Sequence, residues 1–438
     1  MSNSISPDRP TGPVAGRKRP SLVQRAAIGG LMIACVGAGV GIDRVVLDSP
    51  GAGAQEDGDL ADSEAFQILE ETYDVIRGSY VQSEDVTDEQ LIYGAAAGMV
   101  DALGDVGHSR FLSPEEALRF VDSTNGQLVG IGVNIDTSEL PLRVIMPIQD
   151  SPALEAGIEA GDLIVAVDGT DLRELDDLDA ALNLLRGGEG STVTLTIKRG
   201  DEPEFDVTVT RQRIETPPVS WAMLPSDVLW VRIDQFSAGA TEQLAQALRA
   251  GKDQGAKGLL LDLRANPGGL VKEAKGVAQQ LQPGGNVLYQ EEDAAGAIEQ
   301  VLVPEGDGEW QDLPIVVLID GDSASAAEIT ASSLEENGRA TLVGETTRGT
   351  GTVLQPTQLT DGSMVLIGTE LWLTANGEVI WHQGVDPNVE VELEDVTSAA
   401  LPYTFEDNVV SEDDFATIDD TQLLAGYSAL QETMGPED

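Results

Sequence analysis

Residues 314–352 place a serine between an apolar run and a helical pattern of small residues, which limits the folds open to the chain. The run 315–319, Ile-Val-Val-Leu-Ile, is rich in β-branched residues and predicts a buried parallel strand. Small residues from Gly321 onward open a helical pattern that continues to Glu336. A serine at such a turn is held exposed beside free backbone N–H groups. The stretch therefore predicts either a nucleophile or one more βαβ unit with a small-residue helix start.

The neighbouring sequence repeats this alternation of apolar runs and helical patterns. Apolar runs lie at 228–233, 258–263, 315–319 and 341–343, and helical stretches lie at 241–252, 270–281 and 326–336. The alternation predicts a βαβ sheet with helices on its faces, in a domain spanning 215–394. Residues 262–269, Asp-Leu-Arg-Ala-Asn-Pro-Gly-Gly, follow a predicted strand, as does the serine run. Both runs should meet at the carboxyl edge of the sheet, where glycines let backbone N–H groups approach a ligand.

Two smaller regions precede this domain. Residues 61–125 carry apolar residues at three- and four-residue steps, which predicts helices, one capped by Thr87 and another opening at Ser113. Residues 126–214 show strand patterns at 131–135, 142–145, 163–167, 192–197 and 205–209, and a short helix at 178–185. The sequence thus predicts a multidomain α/β (α+β) chain with a helical region, a compact β-domain and a βαβ core.

The composition excludes one class of partner and says little about redox chemistry. The formal net charge is −51, from 76 acidic and 25 basic residues, so the basic surface that binds phosphate groups is missing. We expect no nucleic-acid partner. The single Cys35 excludes an internal disulfide. After residue 391 the sequence turns acidic, and we expect a mobile tail over 395–438.

The N-terminus has the pattern of a membrane-targeting segment. A basic stretch at 1–25 precedes an apolar segment at 26–46, and a Gly-, Asp- and Glu-rich linker follows at 47–60. Positive charge ahead of an apolar segment predicts a signal anchor or signal peptide. We expect a single-pass protein of the cell membrane, with most of the chain periplasmic or extracytoplasmic.

Several motifs resemble those of the C-terminal processing (tail-specific) serine peptidases of family S41. Residues 323–329, Ser-Ala-Ser-Ala-Ala-Glu-Ile, followed by Val-Gly-Glu-Thr-Thr at 343–347, resemble the core of these enzymes. Residues 105–109, Asp-Val-Gly-His-Ser, resemble part of their N-terminal helical region, and 377–387 resemble their closing strands. The resemblance covers residues 61–391. It implies a helical region, a PDZ domain and a peptidase core of the ClpP/crotonase type.

The β-domain carries the motifs that resemble PDZ domains. Residues 156–169 resemble the most recognisable PDZ run, and 128–133 fall where a PDZ domain places its carboxylate-binding loop. Glycines let successive N–H groups converge on an anion, and the following strand can pair with an extended peptide. We expect partners with free apolar C-termini, bound by Val129, Gly130, Ile131, Gly132 and Val133. A domain that only spaces its neighbours is the alternative.

The resemblance also implies roles for residues of the core. The family nucleophile corresponds to Ser325, and the family's general-base lysine, twenty-five residues later, corresponds to Thr350. The glutamine that orients this lysine corresponds to Leu354, or to the adjacent Gln355 if the correspondence slips by one residue. The implied oxyanion donors are the N–H groups of Gly268 or Gly269 and of Ala326. The resemblance implies neither a cofactor nor a metal, and it is compatible with a homo-oligomer.

Without the lysine, an active Ser325 needs another group to take its proton. His108 ranks first, because the related tricorn branch pairs its serine with a histidine from this region and imidazole titrates near neutral pH. The other candidates are His382, Glu345 and Lys272. Thr350 could only relay a proton, and Arg348 could only stabilise negative charge.

Three interpretations of the whole chain remain open at this stage. The first is an exported or membrane-anchored serine endopeptidase that cleaves proteins near their C-termini with a substitute base. The second is an inactive relative that uses its PDZ domain and core as a peptide-binding scaffold. The third is a regulatory partner of an active paralogue.

Overall fold

The computed structural model describes residues 64–105, 108–136, 140–148, 151–175, 178–200, 202–393 and 399–435. The N-terminal region consists of α1 (Glu64–Ser79), α2 (Asp88–Asp101), β1 (Arg110–Leu112) and α3 (Pro114–Thr124). Two of its helices begin at the predicted caps. Thr87 and Gln90 exchange hydrogen bonds at the start of α2, and Ser113 and Glu116 do the same at α3. These capping boxes satisfy backbone N–H groups that a helix start leaves unpaired.

The β-domain follows with its own apolar core. Its elements are β2 (Gln127–Gly130), β3 (Val133–Asp136), β4 (Leu142–Pro147), α4 (Pro152–Glu155), β5 (Leu163–Val167), β6 (Thr170–Asp171), α5 (Leu178–Leu185), β7 (Thr192–Lys198), β8 (Phe205–Thr210) and β9 (Gln212–Glu215). The strand predicted at 131–135 begins only at Val133, because Gly132 at φ 78° turns the chain between β2 and β3. β3 lies at the end of the strand order β3-β4-β5-β7-β8 and pairs with β4. This leaves an edge of the described sheet open.

The core is a sheet covered on both faces. Its elements are β10 (Val219–Leu224), β11 (Val228–Ile233), α6 (Ala240–Asp253), β12 (Gly258–Asp262), α7 (Val271–Leu281), β13 (Val287–Glu292), β14 (Ile298–Leu302), β15 (Ile315–Ile319), α8 (Ala326–Glu336), β16 (Ala340–Gly344), β17 (Thr352–Gln358), β18 (Met364–Leu373) and β19 (Val389–Glu390). The main sheet has the order β10-β11-β12-β15-β16-β19, parallel from β11 onward. The second sheet contains β13, β14, β17 and β18, and β1 joins it through β18. The α/β fold class is confirmed.

The C-terminal tail is part of the fold, which corrects the expectation of a mobile segment. After α9 (Glu412–Phe415), α10 (Thr421–Met434) packs on the main sheet. Leu423 and Leu430 are buried there against strand residues such as Trp230, on the face opposite α6, α7 and α8. The strands of a parallel sheet are apolar on both faces, so the second face needs a cover. The tail is mainly acidic in composition, so little in the sequence indicates the few apolar residues that make these contacts.

Asp420, just before α10, reaches the strand end that precedes the glycine run 268–269. Its buried carboxylate accepts hydrogen bonds from Arg264 Nη1 at 2.9 Å to each oxygen and from the backbone N–H of Leu423 at 2.9 Å. Arg264 also donates to both oxygens of the buried Asp262. A buried guanidinium requires such partners, because an unpaired charge is expensive to remove from water.

The predicted membrane location is contradicted. The expected anchor at 26–46 lies outside the described residues, as do the basic segment 1–25 and the linker 47–60. Within the described ranges, no helix is both long enough and apolar enough to cross a bilayer. Helix α1, for example, has 16 residues and would extend about 24 Å, less than the hydrocarbon thickness of about 30 Å.

Substitution of Asp420 should destabilise the core. Asp420→Asn removes one charge from a buried pair, which should lower the free energy of unfolding by about 3 kcal/mol or more. Urea denaturation followed by tryptophan fluorescence measures this, because all tryptophans of the chain lie in the core: Trp221, Trp230, Trp310, Trp372 and Trp381. The control Asp419→Asn removes the same charge from an exposed neighbour and should change stability by less than about 0.5 kcal/mol. Equal effects of the two variants would contradict the role assigned to Asp420.

Candidate active site

Ser325 occupies a strained position at the start of α8. Its backbone has φ 54° and ψ −114°, and its side chain is fully buried. The sequence predicted an exposed hydroxyl, but Oγ is buried and has no hydrogen-bond partner among the described residues. Backbone strain of this kind costs roughly 1–3 kcal/mol, and an unpaired buried hydroxyl a similar amount. The surrounding contacts must therefore hold Ser325 in place.

The main support is the carboxylate of Glu328, one turn into the same helix. It accepts hydrogen bonds from the N–H groups of Ser325 at 2.7 Å, Gly349 at 2.7 Å and Thr350 at 2.9 Å, and from the Thr347 hydroxyl at 2.5 Å. Burial raises the pKa of Glu328, and these four hydrogen bonds oppose that shift. Since all four groups are donors, the carboxylate acts purely as an acceptor. It ties Ser325 to the loop that carries Thr350.

The glycine run approaches Ser325 from the neighbouring strand end, as the strand pattern predicted. A Cβ on Gly268 would lie 2.8 Å from Ser325 Cβ and 2.9 Å from the Ala326 nitrogen, so only glycine fits there. The Ala324 N–H donates to the Asn266 carbonyl at 2.9 Å, and the Ser323 hydroxyl donates to the Leu263 carbonyl at 2.8 Å. These contacts fix the two loops against each other.

The hydrogen bonds distinguish between the possible oxyanion donors. The Gly268 N–H donates to Asn266 Oδ1 at 2.8 Å and is therefore occupied. No acceptor among the described residues takes the N–H of Gly269 or of Ala326. Free backbone donors beside a nucleophile are what a developing oxyanion requires. The contacts favour Gly269 over Gly268 as partner of Ala326.

Thr350, the expected counterpart of the family lysine, lies inside this cluster. Thr350 is buried, and its N–H shares an oxygen of Glu328 with the N–H of Ser325. Two alternative bases lie elsewhere. Lys272 is largely exposed and 3.8 Å from Glu273, and Glu345 accepts hydrogen bonds from Leu393 and Gln422 beside the C-terminal segment. Burial raises the pKa of Glu345. Neither group is held against Ser325 by a described contact.

Both histidines of the chain lie together beside the loop that carries Thr350. The rings of His108 and His382 stack with centroids 5.8 Å apart. The backbone N–H of His382 donates to the Gly349 carbonyl at 2.9 Å. His108 is buried, with Nδ1 3.5 Å from Thr352 Oγ1 and 3.3 Å from Asp105 Oδ1. Burial lowers the pKa of His108, while the Asp105 carboxylate raises it. The helical region thus brings an imidazole to the loop that Glu328 ties to Ser325.

The predicted peptide-binding loop borders a cavity of about 380 Å³. Residues 127–133 form one side, α3 forms another, and residues 185–189 after α5 complete the lining. The loop is anchored by its carbonyls, since Ile131 accepts from the Ala153 N–H and Gly132 from the Ile148 N–H. A Cβ on Gly132 would lie 2.4 Å from Ser151 Cβ, so the loop packs too closely for another residue there.

Sequence reasoning missed several residues that position the site. The motifs contain Glu328 and Asn266 but assign neither residue a role, although their spacing from Ser325 and Gly268 is visible in the sequence. The capping pattern of a serine followed three residues later by a glutamate could have identified Glu328. Asp105 likewise lies three and four residues before its partners His108 and Ser109, a spacing visible in the sequence. Asp420 could not have been found this way, because its partner Arg264 lies 156 residues away.

Leu354, at the position of the family's orienting glutamine, is fully buried in an apolar cluster with Leu112, Phe120, Met364 and Leu366. Leu354→Gln should lower the free energy of unfolding by about 3 kcal/mol, because it removes apolar burial and leaves an amide without partners. The tryptophan-monitored urea transition measures this. The matched control is Leu359→Gln at a leucine that is 41% exposed, which should change stability by less than about 1 kcal/mol. A variant at Leu354 as stable as the control would show that the pocket accepts an amide.

Comparison with known proteins gives the same family at the level of sequence and fold. The model of peptidase family S41 matches residues 227–391, and a PDZ-domain model matches residues 144–199. The carboxy-terminal processing protease CtpA of Bacillus subtilis is 34% identical over 352 residues, covering 80% of this chain and 74% of the relative. The carboxyl-terminal-processing protease of Synechocystis is 34% identical over 336 residues, covering 74% and 77%.

A solved structure adds a likeness in fold. The S41 protease from Bacteroides fragilis matches with a TM-score of 0.55 at 19% identity, covering 83% of this chain and 97% of that one. The resemblance inferred from the motifs is confirmed, and with it the assignment to serine-type peptidases with a PDZ domain. The chain belongs to peptidase family S41, among the carboxy-terminal processing serine proteases.

Proposed function

We propose that this peptidase cleaves proteins near their C-termini, with Ser325 as nucleophile and His108 as general base. The observation that carries the proposal is the buried Ser325 hydroxyl without a hydrogen-bond partner, together with the N–H groups of Gly269 and Ala326 that no acceptor among the described residues takes. A tetrahedral intermediate places its negative oxygen between two such donors. The strain at Ser325 and the four hydrogen bonds of Glu328 support a built nucleophile rather than an ordinary helix start.

His108 meets the chemical requirement for the base, which Arg348 and Thr350 of the neighbouring loop do not. Arg348 is always protonated and Thr350 has no basic atom, whereas an imidazole with a lowered pKa is neutral and accepts a proton at neutral pH. His108 precedes β1, which pairs with β18 in the register Leu112↔Met364. That pairing fixes the helical region, and the imidazole with it, against the core.

The PDZ domain supplies the selection of substrates. β3 offers an open edge in the described sheet, and the loop 128–132 leads into it. An extended C-terminal tail would add to this edge, with its carboxylate at the glycine loop and its apolar side chain in the adjacent cavity. Helix α3 lines the same cavity, so the helical region contributes to tail selection.

The test of activity uses an unfolded protein with an apolar C-terminal tail as substrate. Wild type should produce C-terminal fragments, Ser325→Ala should produce none, and His108→Ala should lower kcat/KM by at least about 100-fold. Because the base must be neutral and its pKa is lowered, kcat/KM should rise with pH through a midpoint below the ordinary histidine value of about 6.5. Binding of the tail without serine-dependent cleavage would identify the protein as a scaffold. Unchanged cleavage by His108→Ala would exclude this histidine as base.

Tail recognition predicts a preference for a free carboxylate. Amidation of the peptide's C-terminus should weaken binding about tenfold or more, because the loop N–H groups lose a charged acceptor. Isothermal titration of Ser325→Ala with the acid and amide forms of one apolar peptide measures the difference without cleavage. Equal affinity for both peptides would place the binding site elsewhere.

A further inference from the structure

The carboxylate of Asp105 is arranged as if to orient His108. One oxygen, Oδ2, accepts hydrogen bonds from the Ser109 N–H at 3.1 Å and the Ser109 hydroxyl at 2.6 Å. Ser109 Oγ in turn accepts from the Gly368 N–H at 3.0 Å, so this side of the carboxylate is anchored to β18. The other oxygen, Oδ1, is buried without a hydrogen bond in the described structure and lies 3.3 Å from His108 Nδ1.

We propose that Asp105 is a positioning residue for peptide cleavage: it keeps the proton of neutral His108 on Nδ1 and leaves Nε2 as the basic nitrogen. This inference rests on the proposed function of His108. A buried carboxylate oxygen with no other donor attracts the Nδ1 proton strongly. The competing acceptor, Thr352 Oγ1, is neutral and lies farther from Nδ1 at 3.5 Å. Hydrogen bonding at one ring nitrogen determines which nitrogen remains free.

The proton transfers follow from this arrangement. As Ser325 Oγ bonds to the substrate carbonyl carbon, its proton moves to Nε2 and the carbonyl π electrons move to the oxygen. The imidazolium is stabilised by the Asp105 carboxylate. Nε2 then returns the proton to the leaving nitrogen as the peptide C–N bond breaks, and the acyl-serine remains. Water later attacks the ester by the same transfers in reverse order.

Nitrogen NMR of the histidine rings tests the tautomer without any substrate. Since the chain has two histidines, a uniformly 15N-labelled protein purified without a histidine tag gives two ring patterns, and His382→Asn assigns them. Neutral His108 should be the Nδ1–H tautomer in wild type and should shift towards the Nε2–H tautomer in Asp105→Asn. The charges that face His108 are Asp105, His382 and Arg348, so the titration is repeated in His382→Asn to separate the neighbouring ring from the carboxylate. A wild-type His108 protonated on Nε2 would overturn the proposal, even if Asp105→Asn failed to fold.

Kinetics give the second readout. Asp105→Asn should lower kcat by at least about 100-fold with little change in KM. It should also move the acid limb of the kcat/KM profile to lower pH, because the carboxylate that raises the pKa of His108 is gone. The control Asp101→Asn removes an exposed charge from the end of α2 and should change kcat less than tenfold. If the wild-type protein cleaves no substrate, the proposed function itself is wrong. In the remaining outcome, cleavage needs Ser325 and His108, but Asp105→Asn changes neither the rate of cleavage nor the tautomer of His108. That result would overturn this inference and leave the proposed function intact.

Discussion

The arrangement of the site depends on one buried carboxylate, that of Glu328. Four donors from two separate segments converge on it, and each would be left unpaired in the interior without it. A backbone N–H buried without an acceptor costs about 1–3 kcal/mol, so the set outweighs the strain at Ser325. Helix α8 is buried along its length, which prevents the carboxylate from turning to water instead. Ser325, the proposed nucleophile, is therefore held through its backbone N–H, and its hydroxyl needs no hydrogen bond of its own to stay in place.

Close approach of the two loops provides the other half of the site. Gly268 permits contact with Ser325 and Ala326 at distances that a side chain would block, and Asn266 uses its amide to occupy the Gly268 N–H and the Ile233 carbonyl. The adjacent Gly269 then keeps a free N–H. The ion pairs of Arg264 with Asp262 and Asp420 connect the segment before this loop to the residue that precedes α10. The N–H groups proposed as oxyanion donors are thus fixed before any substrate arrives, which is the condition for electrostatic stabilisation of an oxyanion.

Local sequence patterns were sufficient for elements and their order, but not for long-range partners. The strands at Val228–Ile233 and Ile315–Ile319 and the helix at Ala326–Glu336 were predictable from apolar periodicity, as was the meeting of the glycine and serine runs at one sheet edge. The burial of Ser325 and the docking of α10 were not predictable, because each depends on a surface assembled from distant segments. Asp420 is one acid among many in the tail, and only its tertiary contact with Arg264 distinguishes it from the exposed Asp419.

Of the two positions where the sequence predicts a departure from the family pattern, Thr350 and Leu354, the second is physically connected with the segment that carries His108. A glutamine at 354 would serve a lysine at 350, but without that lysine its amide would be buried with no partner. Leu354 instead packs against Leu112 and Phe120 of the helical region. These contacts, together with the pairing of β1 and β18, hold the segment that carries His108 against the core. A glutamine at position 354 would remove packing that holds this segment. The burial of Leu354 is therefore consistent with the proposal of a base supplied by the helical region.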